Sequence, residues 1–484
     1  MVDSDSGSRH DNGKDNVVLV HWHDLGRHLE LYGAAGARSP SLERLAAQGL
    51  LFTNAHAVAP LCSPSRGALL TGRYPQSNGI VGLVHHGWEY MPGVRTLPSL
   101  LGEAGWLSAL IGMQHESANP SSLGYDAHDV TDSDCGYVVD RAEEWLARRA
   151  RARDAGDDSP FLLNTGFFEV HRPYPAGKYP DHDPDAITVP DYLPDTPEVR
   201  ADLSAFHGAI EHADRETGRL IEAIDGNGFA DDTWVVFFTD HGEAFPGAKS
   251  TLYARGTGIS LIIRPPRSAG VAPRRYEDLF SGVDLVPTLL ELLGQPVPDE
   301  VQGVSHAEAI AAAAPSKAPR SAVFAVKDYH DSYDPIRAIR TADFSYIENH
   351  APRPRLELPL DIADSRSGRA LQGAHLLPRS RYELYDLRFD PGETVNRADH
   401  PGYEEVRGLL AERLARWRAE VRDATVDVAA GESIARRYMA DYLAGQATRT
   451  NTVPRSPRGA DRELIGGEYA ADDSIAPSSP DKRT

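Results

Sequence analysis

Short apolar runs alternate with stretches of helical periodicity along most of this chain. Residues 16–20 (NVVLV) are apolar on both sides of the backbone, the pattern of a strand covered on both faces. Residues 107–111, 161–168, 233–239 and 261–264 read the same way. Between them, apolar positions recur every three to four residues over 41–49, 140–153, 199–224 and 283–293, which predicts helices. The first has Ser39 to cap it, Pro40 in its opening turn and Gly49 to stop it. Alternating strands and helices predict an α/β fold with a mostly parallel central sheet flanked by helices. After about residue 330 the pattern changes. Residues 336–347 and 382–387 predict strands of a small antiparallel sheet, and 403–421 predicts a helix. The chain therefore divides into an α/β domain over 15–330 and a sheet-plus-helix subdomain over 331–445. The polar ends, 1–14 and 446–484, are expected to be flexible tails.

Charge narrows the function. A formal net charge of −21 repels nucleic acid and anionic membranes, so neither is expected as a partner. The acidic first residues lack the basic and apolar regions of a secretion signal, and no run reaches membrane-spanning length, so a cytoplasmic protein is expected. Two cysteines, Cys62 and Cys135, make no disulfide framework. Lysine is rare, so Lys249 beside a motif is conspicuous.

Four predicted strands end in groups that bind metals or move protons: His23-Asp24, Gln114-His115, Glu169 with His171, and Asp240-His241. Any one of these is as readily a turn residue or helix cap. Together, at the carboxyl ends of strands, they point to one pocket. The strongest feature is Cys62-Ser63-Pro64-Ser65-Arg66 followed by Leu70-Thr71-Gly72-Arg73. Pro64 and the apolar run before Gly72 predict a short helix with Cys62 at its N-terminus, where free N–H groups favour an anion and lower a thiol pKa. Arg66, one turn in, can offer a fork to a tetrahedral oxyanion.

That segment resembles the sulfatase signature, in which the cysteine is oxidised to formylglycine. With Pro, Ser and Arg each near one residue in twenty, chance gives such a match about once in ten thousand cysteines. The resemblance extends from Asn16 to about Pro401 and includes His171-Arg172-Pro173-Tyr174, Asp240-His241-Gly242-Glu243 and Tyr382-Glu383-Leu384-Tyr385-Asp386-Leu387. It is greatest towards the sulfamidase (N-sulfoglucosamine sulfohydrolase) branch, through residues 192–203 and Phe245-Pro-Gly-Ala-Lys249. The resemblance implies an alkaline-phosphatase-like fold. It also implies one divalent metal, calcium in most relatives, held by His23, Asp24, Asp240, His241 and the residue made from Cys62. Maturation would need a formylglycine-generating enzyme. Hydrated formylglycine would attack sulfur beside Arg66, with His115 as base and His171 and Lys249 binding sulfate and serving the leaving group. The substrate implied is a small sulfate ester or sulfamate, including those of sugars. Arg172, His330 and Arg337 are the candidates to line it, although ordinary loop polarity accounts as readily for Tyr329, His330, Tyr333 and Arg337 between the two domains. Two positions depart from the family. His23 stands where many relatives have Asp, which suits softer metals better than calcium. Met113 replaces a lysine that helps hold sulfate, leaving Gln114, Arg27 or Arg172 to substitute. A phosphoester or phosphonate hydrolase on the same fold, and a non-catalytic binder of sulfated ligands, are the competing readings.

Overall fold

The computed structural model describes residues 15–312, 318–423 and 427–448. Its strands in chain order are β1 (Asn16–Trp22), β2 (Leu50–Phe52), β3 (Ala55–His56), β4 (Leu107–Gly112), β5 (Ala127–Asp129), β6 (Phe161–Gly166) and β7 (Thr233–Thr239). They continue as β8 (Leu261–Arg264), β9 (Arg274–Tyr276), β10 (Phe280–Ser281), β11 (Val323–Tyr329), β12 (Tyr333–Arg340), β13 (Phe344–Asn349) and β14 (Tyr382–Asp386). Eight of them form one sheet in the order β5-β4-β6-β1-β7-β8-β2-β9. β8 alone runs against the others, antiparallel to β7 and β2. The expected mostly parallel sheet is present.

β1 shows how the layers are built. Val18, Val20 and Trp22 face the layer holding the helices Cys135–Asp154 and Pro197–Gly226. Val17 and Leu19 face the other layer, with Leu97–Glu103 and Leu285–Leu292. Successive side chains alternate along a strand, so His21 and His23 fall on this second face. The helix Cys62–Thr71 lies there too, since its Leu69 and Leu70 belong to the same apolar cluster. The order of central strands, β4-β6-β1-β7, makes neighbours of all four chemically marked strand ends. Gly166 closes β6, where the sequence pattern had continued to Phe168. A Cβ there would stand 2.0 Å from the Met113 carbonyl oxygen and 2.4 Å from the His21 ring, so only glycine admits both.

The smaller sheet runs β11-β12-β13-β14, antiparallel throughout. The helix Glu404–Glu420 covers it through Leu414 and Trp417. The expected boundary at residue 330 falls inside the β11–β12 hairpin, so the small unit begins no later than Val323. Lys327 and Asp328 hid β11 from the apolar pattern, yet both are buried against Asp334 (2.8 Å) and Arg337 (3.0 Å). Of the tails expected at 1–14 and 446–484, residues 1–14 and 449–484 lie outside the described residues, whereas 446–448 belong to the helix Val428–Thr448. No helix among the described residues is long and apolar enough to cross a membrane.

Candidate active site

Cys62 opens the helix Cys62–Thr71, which Gly72 terminates in the left-handed conformation at φ 66°. Every residue of that helix is buried. Burial pushes the Cys62 thiol well above its ordinary range, and the carboxylates of Asp24 and Asp240 add to it against the pull of Lys249. This corrects the expectation of a lowered thiol pKa: desolvation exceeds the helix N-terminus. An unmodified Cys62 is therefore a poor thiolate nucleophile. Its Sγ stands 3.3 Å from His241 Nε2 and 3.9 Å from Asp24 Oδ1.

The carboxylates sit where β1 and β7 end. Asp24 holds a left-handed backbone (φ 51°), uncommon for a residue with a Cβ and frequent at functional turns. Its N–H donates to Asp240 Oδ1 at 3.0 Å, tying the two strand ends together. Lys249 Nζ donates to Asp24 Oδ2 at 2.8 Å and to Asp361 Oδ2 at 3.0 Å. Arg66 Nε donates to Asp240 Oδ2 at 3.0 Å, while its Nη1 reaches His21 Nδ1 at 2.8 Å. Burial alone would raise both aspartates. For Asp24 the charges of Lys249, His171 and His241 outweigh it, and for Asp240 those of His241 and Arg66 do, so both stay below the usual carboxylate range. Lys249, despite the cost of burial, is raised well above its ordinary value by Asp24 and Asp361 and stays charged.

Histidines fill the remaining space. His241 Nδ1 donates to the Gly242 carbonyl at 3.0 Å, which aims the Nε2 lone pair at Cys62 and Asp24. His171 Nδ1 likewise meets the Arg172 carbonyl at 2.5 Å, and its Nε2 stands 3.5 Å from Asp24 Oδ2. His115 Nε2 pairs with His85 Nδ1 at 2.8 Å, the two rings stacked 5.0 Å apart. Burial, then His85 and His23, hold His115 well below its ordinary value, as a neutral base requires. His23 is fully buried and depressed to about 4, chiefly by burial and then by Arg66. Its Nδ1 lies 3.1 Å from Asp240 Oδ2, so Nε2 is the nitrogen left without a partner, at a cost of about 1–3 kcal/mol in a purely structural role. Single donor atoms of His23, Asp24, Cys62 and Asp240 all lie within 4.8 Å of one another, and the same holds for His23, Cys62 and His115. These residues fit a bound divalent ion. The carboxylates of Asp24, Asp240 and Asp361 outnumber the cations Arg66 and Lys249, so the protein's own charge leaves no surplus for an anionic substrate.

Of the residues nominated from sequence, Cys62, Arg66, His23, Asp24, Asp240, His241, His115, His171 and Lys249 converge. His330 lies on the β11–β12 turn, paired with Asp331 at 3.0 Å and close enough to depress His85 and His86. Two nominated arginines are committed elsewhere. Arg172 forks onto Asp202 at 2.7 and 2.8 Å. Arg337 forks onto Asp423 at 2.7 and 2.8 Å inside the small sheet. Gln114 turns back on its own loop, accepting from the N–H groups of Glu116 and Ser117, and Arg27 donates to the Thr53 carbonyl. None of the three substitutes proposed for the lysine missing at Met113 is free to take its place. Sequence reasoning missed His21, His85, His86 and Asp361. Strand alternation from His23 exposes His21, and a His-His pair between two glycines was a weak sign. Asp361 carried no sign, because a short helix distant in sequence, Leu360–Ala363, delivers it.

The sulfatase family profile matches residues 15–295. N-sulphoglucosamine sulphohydrolase of Homo sapiens is 28% identical over 467 residues, covering 84% of this chain and 90% of the relative. An ulvan-active sulfatase of Formosa agariphila is 25% identical over 475 residues, covering 85% of this chain and 76% of the relative. A protein solved in complex with its substrate D-glucosamine-2-N,6-O-disulfate superimposes with a TM-score of 0.65 at 19% identity, covering 85% of this chain and 98% of that one.

Proposed function

The chain belongs to the sulfatase family and is a sulfuric ester hydrolase, and from that premise we propose that it cleaves a sulfate ester or sulfamate of a sugar using formylglycine made from Cys62. The observation that carries the proposal is Cys62 itself. It stands at a helix N-terminus, 3.3 Å from His241 and beside Asp24, with a thiol that burial keeps protonated. A residue so placed is badly used as cysteine and well placed for an oxygen nucleophile. The sugar is supported by the human relative's name and by the disulfated glucosamine bound to the structural neighbour.

Formylglycine, once hydrated, supplies the attacking hydroxyl. Asp24, Asp240, His23 and His241 would hold a divalent ion, which would supply positive charge to the sulfate oxygens. The other roles belong to the chain. Arg66, fixed by Asp240 and His21, keeps a permanent charge beside the nucleophile. Lys249 presents a proton and a charge across Asp24 to the sulfate. His171, whose Nε2 is free of its carbonyl bond, serves the leaving oxygen or nitrogen as acid. Neutral His115, held by His85, takes the proton whose loss returns the aldehyde. The group bearing the sulfate would lie towards His330 and Asp331, which pair at 3.0 Å on the β11–β12 turn near His85 and His86.

The test compares purified enzyme, co-produced with a formylglycine-generating enzyme, on N-sulfoglucosamine, a sugar sulfate monoester and the matched phosphate monoester. Turnover should be confined largely to the sulfated pair. Faster hydrolysis of the phosphate ester would place the phosphoester reading ahead.

A further inference from the structure

We infer that the divalent ion at Cys62 is a borderline d-block cation of the zinc class, bound through the imidazoles of His23 and His241, and that the site does not fit calcium. This rests on reading the Cys62 cluster as the metal-bearing site. Calcium takes about six to eight oxygen ligands. Asp24 and Asp240 bring at most four carboxylate oxygens, and three of these also accept a hydrogen bond from a protein nitrogen. Asp24 Oδ2 accepts from Lys249 at 2.8 Å. Asp240 Oδ1 accepts the N–H groups of Asp24 and His241, each at 3.0 Å, and Oδ2 accepts from Arg66 at 3.0 Å. Among the described residues, Asp24 Oδ1 is the one oxygen of the pair without a nitrogen donor bonded to it.

Nitrogen occupies the rest of the gap. His23 Nδ1 stands 3.1 Å from Asp240 Oδ2 and 3.5 Å from Asp24 Oδ1. His241 Nε2 stands 3.2 Å from Asp24 Oδ1 and 3.6 Å from Asp240 Oδ2. Donors about 2.0–2.3 Å from a tetrahedral zinc ion stand roughly 3.3–3.7 Å from each other; two of these four separations fall in that span and two lie just below it. The backbone also prepares His241 as a ligand, because the bond from its Nδ1 to the Gly242 carbonyl at 3.0 Å fixes the tautomer and ring, the usual support of a metal-bound imidazole. His23 is fully buried, its Nδ1 faces the two carboxylates, and its Nε2 has no partner within the protein. Imidazole favours zinc and its d-block neighbours, whereas hard cations favour carboxylate, carbonyl and water.

The test reads metal rather than turnover. Full-length enzyme, its formylglycine content fixed by peptide mass, is assayed for bound metals by plasma mass spectrometry. Metal-free protein is then titrated with Ca²⁺, Mg²⁺, Mn²⁺, Zn²⁺ and Co²⁺, following thermal midpoint and, for Co²⁺, visible absorption. About one d-block ion per chain, not displaced by excess Ca²⁺, is expected, together with the intense visible bands of Co²⁺ in a nitrogen-containing field. His23→Asp should weaken Zn²⁺ and Co²⁺ by at least about tenfold and strengthen Ca²⁺. Stoichiometric Ca²⁺ that Zn²⁺ and Co²⁺ cannot displace would overturn the inference, as would an unchanged preference in folded His23→Asp. If that variant does not fold, the wild-type competition decides alone. A calcium-loaded enzyme that hydrolyses sulfate contradicts only this inference. A zinc-class enzyme inert towards both sulfate and sulfamate contradicts only the proposed function.

Discussion

Two buried ionic clusters in this chain look alike in composition and differ in what they leave open. In the small sheet, Arg337 gives Nε and Nη2 to Asp423, places Nη2 3.0 Å from Asp328 and gives Nη1 to two backbone carbonyls. Asp423 also accepts from Arg418 at 2.7 Å. Each charge there is met by protein. Around Cys62 the carboxylates are met by Arg66 and Lys249, yet His23 Nε2 and His115 Nδ1 have no hydrogen-bond partner, and the His241 lone pair points at a thiol. A closed cluster organises a fold; an open one waits for a ligand. Both contain an arginine that the sequence nominated for an anion, and only the surroundings tell them apart.

The largest effects should separate the clusters cleanly. Asp24→Ala and Asp240→Ala are each expected to abolish bound metal and turnover while the far-ultraviolet circular dichroism stays near wild type. Near-normal turnover in either would mean that the open cluster is not the site. Lys249→Ala should lower kcat by about two to three orders of magnitude with a smaller change in KM, the usual loss for one charged contact to a transition state. Steady-state kinetics with a sulfate ester check this, and a pure KM effect would reduce Lys249 to a binding contact.

Asp423→Ala should do the reverse. Arg337 would keep only Asp328 as a carboxylate partner and lose its forked one, which is expected to cost about 1–3 kcal/mol in denaturant unfolding, with kcat of the folded fraction unchanged. A loss of kcat matching that of Lys249→Ala would join the clusters functionally and break the comparison.

The smallest effect concerns acid. His207, facing His28 across 3.1 Å, is depressed by burial to about 3, with His28 and His182 adding to it. Its folded value lies below its unfolded one. The stability it contributes is therefore complete above about pH 6.5 and is lost as pH falls towards 3, while unfolded chains take up the proton. His207→Asn should flatten the fall in urea midpoint across that range without changing metal content. An equally steep fall would move the acid sensitivity to other histidines.

Much of this was legible in the sequence, for particular reasons. Strongly apolar strands such as β7 declare themselves, and four polar strand ends converge because a parallel sheet sends its carboxyl ends the same way. β11 stayed hidden because Lys327 and Asp328 break its apolar run, and only the structure reveals the partners that let them be buried. Arg172 and Arg337 looked like substrate ligands because a sequence shows charge and not pairing. Asp361 reaches Lys249 from 112 positions away, a contact that no local pattern encodes. The thiol went the other way from its expected shift, since the helix N-terminus was visible in the sequence and the depth of burial was not.

The central claim is that Cys62 is consumed to make the nucleophile. The direct measurement is the mass of the peptide containing Cys62, from enzyme co-produced with a formylglycine-generating enzyme, alongside sulfate release by the same preparation. The peptide should be lighter by the difference between a thiol-bearing methylene and an aldehyde, should react with a hydrazide probe, and should rise in proportion to activity. Fully active enzyme in which Cys62 remains an unmodified thiol would contradict the account.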